Sequence, residues 1–392
     1  VSAAAPALRG LLLPRADGTL EPHVLGEPRT WTPRPAPHTV RTVFAAAHVV
    51  ADPLADNSPG EPARLDWDAT LAFRRHLFSH GMGVAEAMDT AQRNMGLDWA
   101  CAAELIRRSA EQAREHGARI AAGAGTDHAP GAVTLAEVTD AYLHQVETVQ
   151  AAGAQVIVMA SRQLAAAAGT AQDYLDVYAR VLAAAEQPVV LHWLGEMFDP
   201  QLAGYWGSRD VPTATGTFLE LCHAHAGRID GVKVSLLDAD HERTLRAALP
   251  AGVRLYTGDD FNYPELIRGD GTHHSDALLG AFAAVAPAAS AALTALEAGD
   301  TATYDREMAA TLALSRTVFT APTFHYKTGI AFLAWLAGHQ SGFGMVGGLQ
   351  SARSAVHLAE LFRLADAAGL LPDPGLAAHR MTTFLQVNGV VG

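Results

Sequence analysis

Two hydrophobic periods alternate along this chain. From Thr39 onward, short runs rich in Val, Ile and Ala repeat every second residue, and between them lie longer stretches whose apolar residues return every third or fourth position. The short runs predict strands over 39–50, 82–88, 119–123, 155–159, 188–192, 228–238 and 253–257, with an eighth, less regular one over 270–278. The longer stretches predict helices over 65–80, 98–116, 134–151, 172–185 and 218–225, the second of them capped by Asp98. Eight strands alternating with helices over about 250 residues predict an α/β fold, a (β/α)8 barrel whose C-terminal strand ends build the site. An open doubly wound sheet is the alternative, but neither a Gly-x-Gly-x-x-Gly after the first strand nor a phosphate loop is present.

The flanks are patterned differently. Residues 11–25 read as two extended runs around Ala16-Asp17-Gly18, a hairpin, and Pro28, Pro33, Pro35 and Pro37 make an extended connector. Beyond the barrel, helices are expected over 287–298, 303–319, 327–336, 351–368 and 375–385. The organisation is therefore an N-terminal extension (1–38), a barrel (39–290) and a C-terminal helical domain (291–392), with no internal repeat.

Composition narrows the functions open to such a chain. At 392 residues and 49% apolar it can bury one large core with appended elements, or two domains. A net charge of −13 lacks the basic footprint that nucleic acid requires. Cys101 and Cys222 are too few for a disulfide framework or a thiolate metal cluster. No apolar run reaches about 18 residues and no charged-then-apolar leader is present, so no membrane partner is expected and the cytoplasm is the default location.

Lysine usage singles out one residue. Of 28 basic residues only two are lysines, Lys233 and Lys327. Lys233 lies within the apolar run RIDGVKVSLLD, where Val232, Val234 and Leu236 face one way and Lys233 and Ser235 the other. Such a lysine is either paired with a carboxylate for structure, or is an amine whose pKa burial lowers until it attacks a carbonyl.

The segments GVKVSLLDADHERTL and VRLYTGDDFNYPELIRGDGTHHSDALLGAFAAVAP resemble the dihydrodipicolinate synthase and N-acetylneuraminate lyase family, which carries Gly-[Ile/Val]-Lys on its sixth strand, then Ser/Thr-Gly-Asp-Asp and a closing Ala-Pro. VVLHWLGE, GVAEAMDT and HYKTGIAFLAWLAG are similar to its fifth strand, second strand and lysine-bearing C-terminal helix. The likeness covers about residues 39–371 and is closest to a branch known only as a domain of unknown function. It implies a barrel with C-terminal helices and a class I aldolase that binds a keto acid as a Schiff base on Lys233, with no cofactor.

Departures from the family pattern shape the expected site. The family's proton-relaying tyrosine falls on His192, which can do acid and base work near neutral pH and would give a rate response between roughly pH 5.5 and 7.5. The Gly-Thr-Thr-Gly-Glu loop that holds the pyruvate carboxylate falls on Asp89-Thr90-Ala91-Gln92-Arg93, keeping only Thr90. The tyrosine pair falls on Arg162 and Gln163, and Glu196 stands where some members place an arginine, disfavouring an acceptor with a distal carboxylate. Catalysis is thus expected from Lys233 and His192, and substrate binding from Asp89, Thr90, His48, His128, Arg162, Glu196, Ser235 and Asp259. Lys327 is expected to bind carbonyls or a carboxylate near the mouth.

A second constellation is independent of the family. His48, Asp89, Asp127, His128, His192, Glu196, Asp259, His273 and His274 fall at or just past predicted strand ends, and such ligands suit zinc, manganese or iron in a sugar isomerase or class II aldolase. Against it, the chain holds 18 histidines. His76, His80, His116 and His144 sit on predicted helices, and neither His-Glu-x-x-His nor a first-strand His-x-His occurs. His223-Ala224-His225 lies on a helix, where alternate residues diverge. A barrel that binds without chemistry is the third class. The reading that results is a Schiff-base lyase or aldolase, without metal or other cofactor, acting as a homo-oligomer on a small-molecule carbonyl substrate, a keto acid or hydroxylated keto sugar.

Overall fold

The computed structural model describes residues 10–88 and 92–390. A two-residue-period hairpin opens it: β1 (Gly10–Pro14) pairs antiparallel with β2 (Leu20–Val24), and Gly18 supplies the left-handed turn residue at φ 84°. Eight parallel strands then close a barrel: β3 (Val43–Ala45), β4 (Gly83–Glu86), β5 (Ile120–Ala124), β6 (Gln155–Val158), β7 (Val189–Leu194), β8 (Ile229–Ser235), β9 (Arg254–Thr257) and β10 (Asp276–Leu279). Each pairs with its neighbour in sequence, and β10 returns to β3. The (β/α)8 architecture is as expected.

The outer layer follows from caps and apolar stripes. It comprises α1 (Trp67–Phe78), α2 (Trp99–Glu115), α3 (Leu135–Ala151), α4 (Arg162–Ala167), α5 (Ala171–Ala184), α6 (Val211–Ala224), α7 (Ala239–Ala248) and α8 (Tyr263–Arg268). Asp66, Asp98, Thr134, Thr170 and Asp238 each accept a hydrogen bond from the first turn they precede, and Thr134 and Thr170 complete capping boxes. Period two divides each strand: Leu191, Trp193, Val232 and Val234 join the core under the helices, whereas Val190, Tyr256 and Leu278 fill the lumen. On β4 the outward Glu86 binds Arg74 of α1 through two hydrogen bonds of 2.7 and 2.9 Å and accepts one from Ser109 of α2, all three buried. That network fixes β4 against both helices.

Behind the barrel lie α9 (Phe282–Glu297), α10 (Thr301–Val318), α11 (Tyr326–Leu336), α12 (Ala355–Ala367) and α13 (Pro374–Val387). The hairpin is tied to them, since Arg363 of α12 donates to the Leu13 and Pro14 carbonyls and His23 meets Asp366 at 2.9 Å. Among the described residues no helix is long and apolar enough to cross a membrane.

Three local expectations are corrected. The strand predicted over 39–50 is paired only at Val43–Ala45, because the chain turns its His48 ring outward against Phe73 of α1. α9 begins at Phe282 rather than at Pro287; Val285, at φ −114° and ψ 18°, breaks the helix, so Pro287 falls in the first turn of the following segment, where its missing N–H costs nothing. The helices α4, α7 and α8, of six, ten and six residues, are additional to those the spacing marks.

Candidate active site

The register of β7 and β8 makes His192 and Lys233 direct partners. Both are inward by parity, in line with Val190 and away from Val232 and Val234. The decisive contact is across the barrel: the Lys233 Nζ lies 3.7 Å from the Sδ of Met88, just beyond the end of β4, the strand diametrically opposite β8. The lysine side chain therefore spans the lumen near its C-terminal mouth and is buried at 5% exposure.

His192 approaches the Ser235 hydroxyl through Nε2 at 3.3 Å. Its Nδ1 is buried with no hydrogen-bond partner among the described residues, leaving a ring nitrogen open to a bound molecule. Burial, reinforced by the Lys233 charge, holds the imidazole pKa well below 6.5. The shift biases the ring towards its neutral form, which moves any response of His192 to the acid side of the range expected from a free imidazole.

A carboxyl shifted the other way, towards neutrality, is that of Asp260. The run after β9 continues the inward parity of Tyr256 through Gly258 to Asp260, whose carboxylate accepts the Ala281 N–H at 2.8 Å. Burial pushes its carboxyl up to about 7, against the opposing pull of that hydrogen bond and of Lys233 and Lys327. Lys327, at the start of α11, donates to the Ala46 carbonyl at 2.6 Å and is also buried. One carboxyl thus stands within electrostatic reach of both lysines. Asp259 faces the other way and accepts from the Phe261 and Asn262 N–H groups and from the Asn262 amide, closing the turn into α8.

Gly258 makes this arrangement possible. A Cβ there would collide with the Ser235 hydroxyl and lie 2.7 Å from the Val234 carbonyl and 2.8 Å from Lys233 Cε. Gly258→Ala is expected to destabilise the protein by about 1–3 kcal/mol, the usual cost of overpacking, and to displace the lysine. Chemical denaturation of the two proteins side by side measures this; equal stability would show that the lysine shelf yields freely.

The other residues singled out in the sequence disperse. His48 bonds Gln340 at 2.7 Å in the seam between α1 and the segment after α11. His128 lies on the outer rim, with Nδ1 2.7 Å from the Gln145 amide and its ring near Trp99 and His144. Arg162 is committed to Asp199 at 2.7 Å, tying the loop after β6 to the loop after β7. Glu196 is exposed. Asp127 is held by Arg93 and Gln145, whose hydrogen bonds and charge lower its pKa although burial alone would raise it. Asp89 and Thr90 lie outside the described residues. His273 and His274 precede β10, so they stand at the foot of the barrel, opposite the mouth; the end of a strand was read where its beginning lies. Among the described residues no three His, Cys, Asp or Glu side chains are grouped to hold a metal ion. The residue missed was Asp260, although its signal was present: counting in twos from Tyr256 selects it over Asp259.

A family model described as protein of unknown function (DUF993) matches residues 11–390. The chain belongs to that family. The search of curated proteins gave no match. Among solved structures, this DUF993 member is similar to dihydrodipicolinate synthase from Aquifex aeolicus, at 13% identity and a TM-score of 0.63 over 84% of this chain and 99% of that one. It is likewise similar to dihydrodipicolinate synthase from Bacteroides thetaiotaomicron, at 13% identity and 0.63 over 83% and 99%. YagE, a prophage protein of the dihydrodipicolinic acid synthase family from E. coli K12 solved in complex with pyruvate, aligns at 15% identity and 0.60 over 90% and 99%. At such identities the likeness is one of fold, and it agrees with the resemblance carried by the Lys233 and Gly258-Asp259-Asp260 segments.

Proposed function

We propose that this DUF993 member is a lyase or aldolase that holds a small ketone as a Schiff base on Lys233. The observation that carries the reading is the reach of Lys233 across the barrel to Met88, which puts an amine inside a buried mouth beside a neutral imidazole and a titrating carboxyl. The unprotonated amine adds to the substrate carbonyl carbon; proton transfers give a carbinolamine, and loss of water gives the iminium. In the cleavage direction a base takes the proton of a hydroxyl two carbons from the iminium carbon. The breaking C–C bond then delivers its electron pair to the iminium, releasing an aldehyde and leaving an enamine, which is protonated and hydrolysed from the lysine. Asp260 above about pH 7 is the base best matched to the operating pH, and His192 with Ser235 passes protons at the nitrogen. Thr90 is the proposed hydroxyl donor to a substrate carboxylate.

The pyruvate complex of YagE makes a keto acid the first class to test. A panel of keto acids and keto sugars with borohydride is expected to add the mass of the reduced adduct to one peptide, the one containing Lys233. Adduct on no peptide with any ketone, together with turnover lost to chelator and restored by zinc or manganese, would replace this reading with metal chemistry.

A further inference from the structure

The end of β4 breaks the alternation that governs the rest of the barrel. Ala85 faces the lumen and Glu86 the helices, so period two would turn Ala87 inward and Met88 outward. The reverse is found. Ala87 packs outside the lumen with Val49, Leu97 and Leu105, and Met88 joins the lumen set that holds Val190 and Tyr256. The reversal is made at Ala87, whose φ of 45° lies in the left-handed region that a residue with a Cβ keeps only where its surroundings hold it there. Its product is the contact of the Met88 Sδ with the Lys233 Nζ at 3.7 Å.

What holds Ala87 is Arg93. This guanidinium is fully buried, and all five of its N–H donors are engaged. Nη1 donates to the Ala87 carbonyl at 3.2 Å and to the Gly123 carbonyl at 3.1 Å, across the ends of β4 and β5. Nη2 donates to the Gln145 amide oxygen at 2.6 Å and to Asp127, which also accepts from Nε at 2.9 Å. Asp127 supplies the counter-charge, and Gln145 of α3 donates to that carboxylate at 3.0 Å, so the clamp is itself fixed. Gly123 lets the two strand ends meet: a Cβ there would lie 2.7 Å from both the Ala87 oxygen and the Met88 Cα.

We propose that Arg93 is a positioning residue for Lys233: it holds the strained turn at Ala87, the turn holds Met88 against the amine, and Met88 keeps Nζ in its place in the mouth. A lysine side chain that spans the lumen has much rotamer freedom to lose. A reacting group displaced by about 1 Å can lose about 10²-fold in rate, so restraint at its tip matters more than restraint along its stem. A thioether suits this task. It packs closely and is only a weak hydrogen-bond acceptor, so it fixes the amine without a strong bond that an arriving carbonyl would have to break. The effect on adduct formation rests on the Schiff-base reading, whereas the place of Nζ does not.

Two measurements on the full chain test it. Because the chain has only two lysines, limited reductive methylation with formaldehyde and cyanoborohydride, followed by peptide mapping, reads Lys233 against Lys327 with no substrate present. In Arg93→Met the ratio is expected to rise as Met88 leaves the amine, while the rate of borohydride-trapped adduct on Lys233 falls about 10²-fold. Adding Ala87→Gly, which takes a φ of 45° without steric cost, is expected to restore most of both, although it restores no bond to Asp127 or Gln145. Met88→Ala, with Arg93 intact, is expected to show the same two changes even if Arg93→Met fails to fold. Methylation unchanged in Met88→Ala, or in folded Arg93→Met, would overturn the proposal. So would a loss that Ala87→Gly leaves unrelieved, which would make Arg93 only a tie between α3 and the barrel. Absence of any wild-type adduct would count against the Schiff-base reading alone, since the methylation ratio needs no ketone.

Discussion

Lys233→Arg is expected to lose the borohydride-trapped adduct and to lower turnover by about 10⁴-fold or more, the scale seen when a covalent nucleophile is removed. A guanidinium keeps the charge but stays protonated at any usable pH, so it cannot add to a carbonyl. The lumen is tight, and arginine is bulkier, so Lys233→Met provides the control for fit: it fills the space towards Met88 with no amine. Lys327→Arg marks the contrast. It donates to the Ala46 carbonyl, which a guanidinium can also do, so turnover and trapping are expected to persist. Single-turnover rates and intact mass on the three variants decide the matter. Trapping retained in Lys233→Arg and lost in Lys327→Arg would exchange the roles of the two lysines.

Asp260→Asn is expected to remove the pH-dependent step near neutrality and to lower the proposed cleavage rate by about 10²- to 10⁴-fold, the range of general acid–base contributions. The sign follows from the raised pKa: the carboxyl is neutral below about pH 7 and a carboxylate above it, so wild-type cleavage rises with pH through that value and the variant stays flat. Stability moves in the opposite sense. An unfolded aspartate ionises near 3.8 while the folded one keeps its proton to about 7, so burial of Asp260 weighs against the fold increasingly between those values and fully above pH 7. Asp260→Asn is therefore expected to gain stability relative to wild type at pH 8 and to match it near pH 4. A rate profile in the variant that still inflects near pH 7 would point to another group.

The periodicity of the chain determined the architecture by itself: eight period-two runs between helical stretches can bury both faces of each strand only as a closed or doubly covered sheet, and no phosphate loop favoured the open form. The same periodicity placed Lys233 and His192 on inward positions, since side-chain direction on a strand is local and needs no partner to define it. Local chemistry also marked the hairpin around Gly18 and the Asp98 cap. What lies beyond the strand ends was decided by tertiary structure alone. Loops carry no period, so nothing local says that Arg162 reaches across to Asp199, that His48 turns into the α1 seam, or that His273 and His274 stand at the foot of the barrel and not at its mouth. Nor could composition tell a surface histidine from one buried without a counter-charge. The pKa of Asp260 and of His192 depends on desolvation and on charges far off in sequence, and only the closed barrel, which brings β4, β7, β8 and the helix bearing Lys327 around one lumen, sets them.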